Sequence, residues 1–200
     1  MKGSLIIVGF FVLGTICGVC HLLPFDIAET NISYYALCAL MFSVGLSVGN
    51  DPQTLKNFRS LNPRLVFLPI MTILGTLAGS AAVSLILTHR SITDCLAVGS
   101  GFGYYSLSSI FITEYKGAEL GPIALLANIS REILTLLASP LLVRWFGNLA
   151  PISAGGATTM DTTLPIITRT AGQQFVVVSI FHGFVVDFSV PFLVTLFCSI

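Results

Sequence analysis

Charge is scarce in this sequence. Only 9% of its 200 residues are Asp, Glu, Lys or Arg, where soluble domains carry roughly a quarter, which argues against a water-soluble enzyme. A basic surplus is missing too, since nine Lys and Arg offset nine Asp and Glu; nucleic acid is therefore not an expected partner. Gly and Pro are dispersed rather than clustered, which argues against disorder. Period-two alternation is absent from the apolar runs, which excludes an outer-membrane barrel. The five cysteines, Cys17, Cys20, Cys38, Cys95 and Cys198, are odd in number and lie mostly inside apolar runs, so they read as small buried hydrophobes rather than a disulfide framework. Cys17 and Cys20 form a C-x-x-C beside His21, but no second ligand pair follows, and no metal or other cofactor is expected.

What is present is apolar length. Hydrophobic residues make up 54% of the chain and its mean hydropathy is +0.93, the composition of a protein embedded in a bilayer. Residues 3–23, 33–50, 64–88, 120–146 and 173–199 are each apolar enough, and about long enough, to cross. The first of these exceeds the ~7–15 apolar residues of a signal peptide and shows no small-residue cleavage site, so it is expected to be a first transmembrane helix. Between the spans lie two unusual pieces. Residues 92–112 (ITDCLAVGSGFGYYSLSSIFI) and 153–170 (SAGGATTMDTTLPIITRT) are rich in Gly, Ser and Thr, and Pro165 breaks the second. Such backbone survives at membrane depth only where protein or a wet cavity covers it.

The expectation is an all-α polytopic integral membrane protein of about seven transmembrane segments, two of them Gly/Ser/Thr-rich and interrupted. It would form one transporter domain over residues 1–200: three packing helices in 1–88, an interrupted segment and long helix in 92–146, and a second such pair in 153–199. A faint internal repeat supports the pairing. SLSSIFITEYKG (106–117) aligns without gaps on DTTLPIITRTAG (161–172), matching Ile112 to Ile167, Thr113 to Thr168 and Gly117 to Gly172, and each piece precedes a long helix with a late proline, Pro140 or Pro191. Paired interrupted segments are the best sequence pointer to a transporter's substrate site.

Intramembrane charge marks the candidate chemistry. Arg131 and Glu132 sit near the middle of the span 120–146, where charges are expensive and functional by default. Neighbours on a helix point ~100° apart, so each needs a partner on another element. Asn128, Glu132, Thr135 and Ser139 recur at helical spacing and predict one polar stripe. On it, Glu132 is read as the carboxylate that binds a cationic substrate or a proton; the competing reading is a structural Arg–Glu bridge. In the last span, His182 and Asp187 lie five residues apart and so on different faces. His182 reads either as an interhelical hydrogen-bonder or as a proton relay. Asp161, in GGATTMDTTLP, is either a cation ligand among exposed carbonyls or a helix N-cap. In GSGFGYYS (99–106), Gly101 and Gly103 would let backbone approach a ligand, with Tyr105 and Ser106 beside them. The G-x-x-x-G pairs Gly14/Gly18, Gly45/Gly49 and Gly75/Gly79 read as helix packing. Neither a G-x-G-D nor a G-x-S-x-G motif supports a protease.

Three long motifs in order, GSGFGYYSLSS (99–109), NISREILTLLASPLLVR (128–144) and GGATTMDTTLPIITRTAG (155–172), together with FSVGLSVGND (42–51) and HGF (182–184), resemble the lysine exporter family LysO along essentially the whole chain. The resemblance implies a multi-pass carrier of the bacterial inner membrane that expels L-lysine and lysine analogues and is not an enzyme. It carries site roles to Arg131, Glu132, Gly101, Gly103 and Asp161, whereas Asp187 is a local inference. Longer members of the family begin with additional transmembrane helices, which implies either a small membrane subunit that supplies them or a homo-oligomer. Exporting a cation against an inside-negative potential requires coupling, and proton entry would suffice. The alternative is a channel, or a carrier for another cation or amino acid.

Overall fold

The computed structural model describes residues 63–87 and 89–200, together with the isolated positions Leu13, Ile16, Cys17, Tyr35, Ala39 and Phe42, all six helical. The expected spans 3–23 and 33–50, the C-x-x-C, the first two G-x-x-x-G pairs and the 42–51 motif otherwise lie outside the described residues. The chain divides into two compact units, Met1–Asp51 and Pro52–Ile200; the second is described here.

Its helices follow local signals. α1 (Pro63–Ser84) opens on a proline, whose missing N–H is no loss in a first turn. α2 (Ile92–Gly99) is capped by Ser91, whose side chain accepts from the Asp94 N–H at 3.0 Å. A glycine-rich turn at 100–104 follows, then α3 (Tyr105–Lys116) and the long α4 (Leu120–Phe146). α5 (Ala150–Gly155) runs into a 3-10 turn at Gly156–Met160. Pro165 then starts α6 (Leu164–Ala171), and a short 3-10 turn leads into α7 (Val176–Ser199). The two aligned pieces thus share one pattern: a break, a short helix ending before Gly117 or Gly172, and a long helix containing a proline.

The expectation of about seven transmembrane segments is corrected. Among the described residues three helices are long and apolar enough to cross: Leu65–Ser84, Leu120–Phe146 and Gln173–Ser199. Neither interrupted piece contains a helix of crossing length. Their helices have 8 and 12, and 6 and 8, residues, so none exceeds about 18 Å at ~1.5 Å per residue, against a hydrocarbon core of ~30 Å. Glycine, threonine and proline divide what apolar length alone counts as a span.

The three long helices turn apolar side chains outward. Phe67, Met71 and Leu74 on α1, Leu126, Leu134 and Leu137 on α4, and Phe188, Phe192 and Leu196 on α7 are exposed, as suits contact with lipid tails. The buried face of α7 carries Val178, Ser179, His182, Gly183, Val186, Asp187, Val190 and Val194, and packs on the 156–160 turn, α2 and α3. An apolar cluster of Ile152, Ile167, Ala171 and Val178, backed by Leu65, Leu68 and Val143, anchors α5 and α6.

The two breaks meet. The Ala157 N–H donates to the Phe102 carbonyl at 2.9 Å, which gives each irregular stretch a partner that water cannot supply. Gly156 makes this approach possible: its φ is +64°, and a Cβ there would lie 2.2 Å from the Phe102 oxygen. Gly156→Ala is therefore expected to destabilise the fold by about 1–3 kcal/mol through strain and collision, read as a lower melting temperature of the detergent-solubilised protein; an unchanged melting temperature would contradict this packing.

Candidate functional site

Arg131 sits at the hub. From the middle of α4 its Nε donates to the Ala154 carbonyl at 2.8 Å, one terminal nitrogen donates to the Ser153 carbonyl at 3.0 Å, and the other donates to Thr76 Oγ1 at 3.3 Å. Both carbonyls belong to the last turn of α5, the negative end of that helix. The guanidinium also lies over the Phe102 ring, 5.8 Å from its centroid, within cation–π range. One side chain thus ties α1, α4, α5 and the first break.

Asn128, one turn earlier on α4, holds that break directly. Its Oδ1 accepts from the Gly103 N–H at 2.8 Å, while Nδ2 donates to the carbonyls of Val98 (3.2 Å) and Ala124 (2.9 Å). Gly101 lies against it so closely that a Cβ would sit 2.4 Å from Nδ2. Gly101 thus serves close approach to Asn128, whereas Gly103, at a φ of +94°, lies against the Gly155 carbonyl and Thr158. Thr135 and Ser139 continue the buried face, each hydroxyl donating to the carbonyl four residues back.

Asn128, Thr135 and Ser139 are buried on this face, and Arg131 and Glu132 flank it, both half-buried. Glu132 has neither a hydrogen bond nor an ion pair to any described residue, so Arg131 and Glu132 do not bridge. Arg131 is held by helix-end carbonyls instead. This difference comes from side-chain direction, because positions 131 and 132 both fit the spacing from Asn128 to Thr135.

His182 is fully buried with both ring nitrogens engaged: Nε2 lies 2.9 Å from Thr72 Oγ1, and Nδ1 3.2 Å from Thr159 Oγ1. Thr72 donates onward to Ser153 Oγ at 3.1 Å. The imidazole joins α1, α7 and the 156–160 turn. One turn beyond Gly183 on the same face, Asp187 is 7% exposed and has no hydrogen-bond or ion-pair partner among the described residues. Asp161 is exposed at the end of the 3-10 turn, where its carboxylate accepts from the Thr162 N–H; Thr163, not Asp161, precedes α6 as its cap. Tyr105 is half-buried and Ser106 exposed on the first turn of α3, and neither side chain reaches Arg131.

A cavity of about 710 Å³ opens between α1, α2 and α4, with Val83, Val98 and Ile123 among its walls, Arg131 and Asn128 at one end and Arg90 and Asp94 towards the other. At that second end Asp94 pairs with Lys116 at 3.5 Å, and Arg90 with Glu119. No cluster of potential metal ligands occurs among the described residues.

Sequence reading passed over the residues on α1 that complete this hub. Thr72, Thr76, Ser80 and Ser84 recur every four residues in an otherwise apolar helix, a polar stripe as regular as the one on α4. Phe102 carried no comparable signal; its φ of +45° is set by the turn around it. Asn128→Leu is expected to leave the Gly103 N–H unpaired, at about 1–3 kcal/mol, while the Val98 carbonyl keeps the Gly101 N–H. Hydrogen–deuterium exchange should then accelerate at residues 100–104, and unchanged protection there would remove Asn128 from its anchoring role.

Comparison with known proteins gives the chain its family. The family model described as lysine exporter LysO matches residues 8–198. The lysine exporter LysO of Escherichia coli K12 is 36% identical over 196 residues, which is 98% of this chain and 64% of that protein. A proposed lysine exporter of Haemophilus influenzae Rd is 34% identical over 196 residues, covering 98% of this chain and 96% of that protein. The chain thus spans a little under two thirds of the E. coli relative and nearly all of the H. influenzae one. No solved structure matches. The chain is a multi-pass protein of the bacterial inner membrane and not an enzyme, and with the family model covering all but its extremities, it belongs to the LysO lysine exporter family.

Proposed function

We propose that this chain exports L-lysine, and lysine analogues, from the cytoplasm as a secondary carrier driven by proton entry. The observation that carries the reading is the junction of the two helix breaks, Ala157 N–H to Phe102 carbonyl, in a chain of this family. Breaks of this kind expose helix ends and carbonyls where a substrate can be held, and here intramembrane charges surround them.

The division of labour follows from which charges the protein already fixes in place. Arg131 is fixed by carbonyls and acts as a standing positive charge. Glu132 and Asp187, with no ion-pair partner among the described residues, are the carboxylates free to exchange a proton for an ammonium group. Asp161, at the open end of the second break, is placed to receive the cation. Expelling one positive charge against an inside-negative potential requires ~2.3 kcal/mol per 100 mV, and a proton moving inward through Glu132 supplies it.

The test is stereospecific efflux from lysine-preloaded cells that lack their own exporter, with the chain expressed alone and beside any small membrane protein encoded next to it. L-lysine efflux in either arm supports the reading, and silence in both removes it. Glu132→Gln should reduce efflux to the background of cells without the chain while the protein still reaches the membrane; export at the normal rate would remove Glu132 from the coupling step.

A further inference from the structure

The cavity between α1, α2 and α4 ends in hydrogen-bond donors without acceptors. A guanidinium has five N–H groups, and Arg131 places three of them, on Ala154, Ser153 and Thr76. One hydrogen on each terminal nitrogen has no acceptor among the described residues. Thr76 accepts from Arg131, but its own hydroxyl donates to no described residue. Ser80, one turn further along α1 and lining the same cavity, makes no side-chain hydrogen bond to any described residue either. Asn128 adds nothing more, since both its Nδ2 hydrogens are engaged.

This end of the cavity is thus positive, rich in donors, and unneutralised: no carboxylate pairs with Arg131 among the described residues. In a bilayer interior such a charge strongly favours an anionic partner. The planar fork of a guanidinium matches a carboxylate better than it matches a spherical ion. The walls leading away from it are apolar, and Asp94 lines the other end.

We propose that Arg131, with the hydroxyls of Thr76 and Ser80, binds the α-carboxylate of the transported amino acid, its aliphatic chain lying along Val98 and Ile123 in the direction of Asp94. The proposal rests on the lysine-export reading for the identity of the guest. It deepens that reading by making the carboxylate, not only the ammonium groups, a condition for transport. A diamine of equal length would then be a poor substrate despite carrying the same side-chain cation.

Cys95 lines the same cavity and supplies a binding readout that leaves Arg131 intact. The chain is prepared with Cys17, Cys20, Cys38 and Cys198 replaced by serine, and labelling of Cys95 by a small methanethiosulfonate is followed with lysine, norleucine or 1,5-diaminopentane present. Lysine and norleucine should slow the labelling. The diamine, which lacks the carboxylate, should need about tenfold or more higher concentration, the loss expected for charge-assisted hydrogen bonds. Ser80→Ala, which removes a cavity hydroxyl that bonds no described residue, should weaken protection by lysine while protection by the diamine stays unchanged. Equal protection by lysine and the diamine, or none by any carboxylate, overturns the site. The two readings fail separately: lysine exported without preferential protection retains the exporter and removes this site, whereas protection by carboxylates without lysine efflux retains the site and removes lysine as its guest.

Discussion

The structure depends on the guanidinium of Arg131 meeting two carbonyls at the end of α5. A cation at the middle of a crossing helix is costly, and a bridge to a neighbouring acid would be the familiar remedy. Here the remedy is a helix end, whose last carbonyls lack intrahelical partners and carry partial negative charge. This choice has geometric consequences. α5 has to stop at Gly155, α1 has to bring Thr76 alongside, and the first break has to place the Phe102 ring against the guanidinium. Carbonyl dipoles stabilise the charge without cancelling it, which leaves the cavity end positive.

Around that hub, neutral polar groups do the joining. Thr72, His182 and Thr159 connect α1, α7 and the 156–160 turn, and Asn128 connects α4 to the 100–104 turn. Irregular backbone away from water requires this, because every N–H and carbonyl released from a helix has to find a protein partner. The two breaks meet that need partly in each other, through Ala157 and Phe102. Against so well satisfied a background, Glu132 and Asp187 stand out as half-buried and buried acids with no partner among the described residues. Groups that exchange one cation for another need such freedom, since a carboxylate held in a strong ion pair would release neither proton nor ammonium readily.

Much of this was legible before any coordinates. Long apolar runs located α1, α4 and α7, and glycine, threonine and proline located both breaks. The faint repeat between 106–117 and 161–172 corresponds to a shared sequence of break, short helix and long helix. Counting apolar length overstated the number of crossing segments, because hydropathy averages over positions where the backbone turns. Periodicity also gave no sign that Arg131 would be held by backbone carbonyls rather than by an acid. The four-residue recurrence of Thr72, Thr76, Ser80 and Ser84 was equally readable, yet hydroxyls in an apolar helix commonly bond to their own backbone and so give little indication of a tertiary partner.

The sequence by itself determined the membrane setting, the sites of the helix breaks and the presence of charge at mid-span, because each of these follows from composition or from residues close together in the chain. Only the tertiary structure decided which partner each charge takes. Arg131 meets carbonyls 22 and 23 residues away and a hydroxyl 55 residues away, and His182 meets Thr72 across 110 residues. Such pairings depend on how helices turn about their axes once packed, and one residue along a helix rotates a side chain by ~100° and changes which surface it faces.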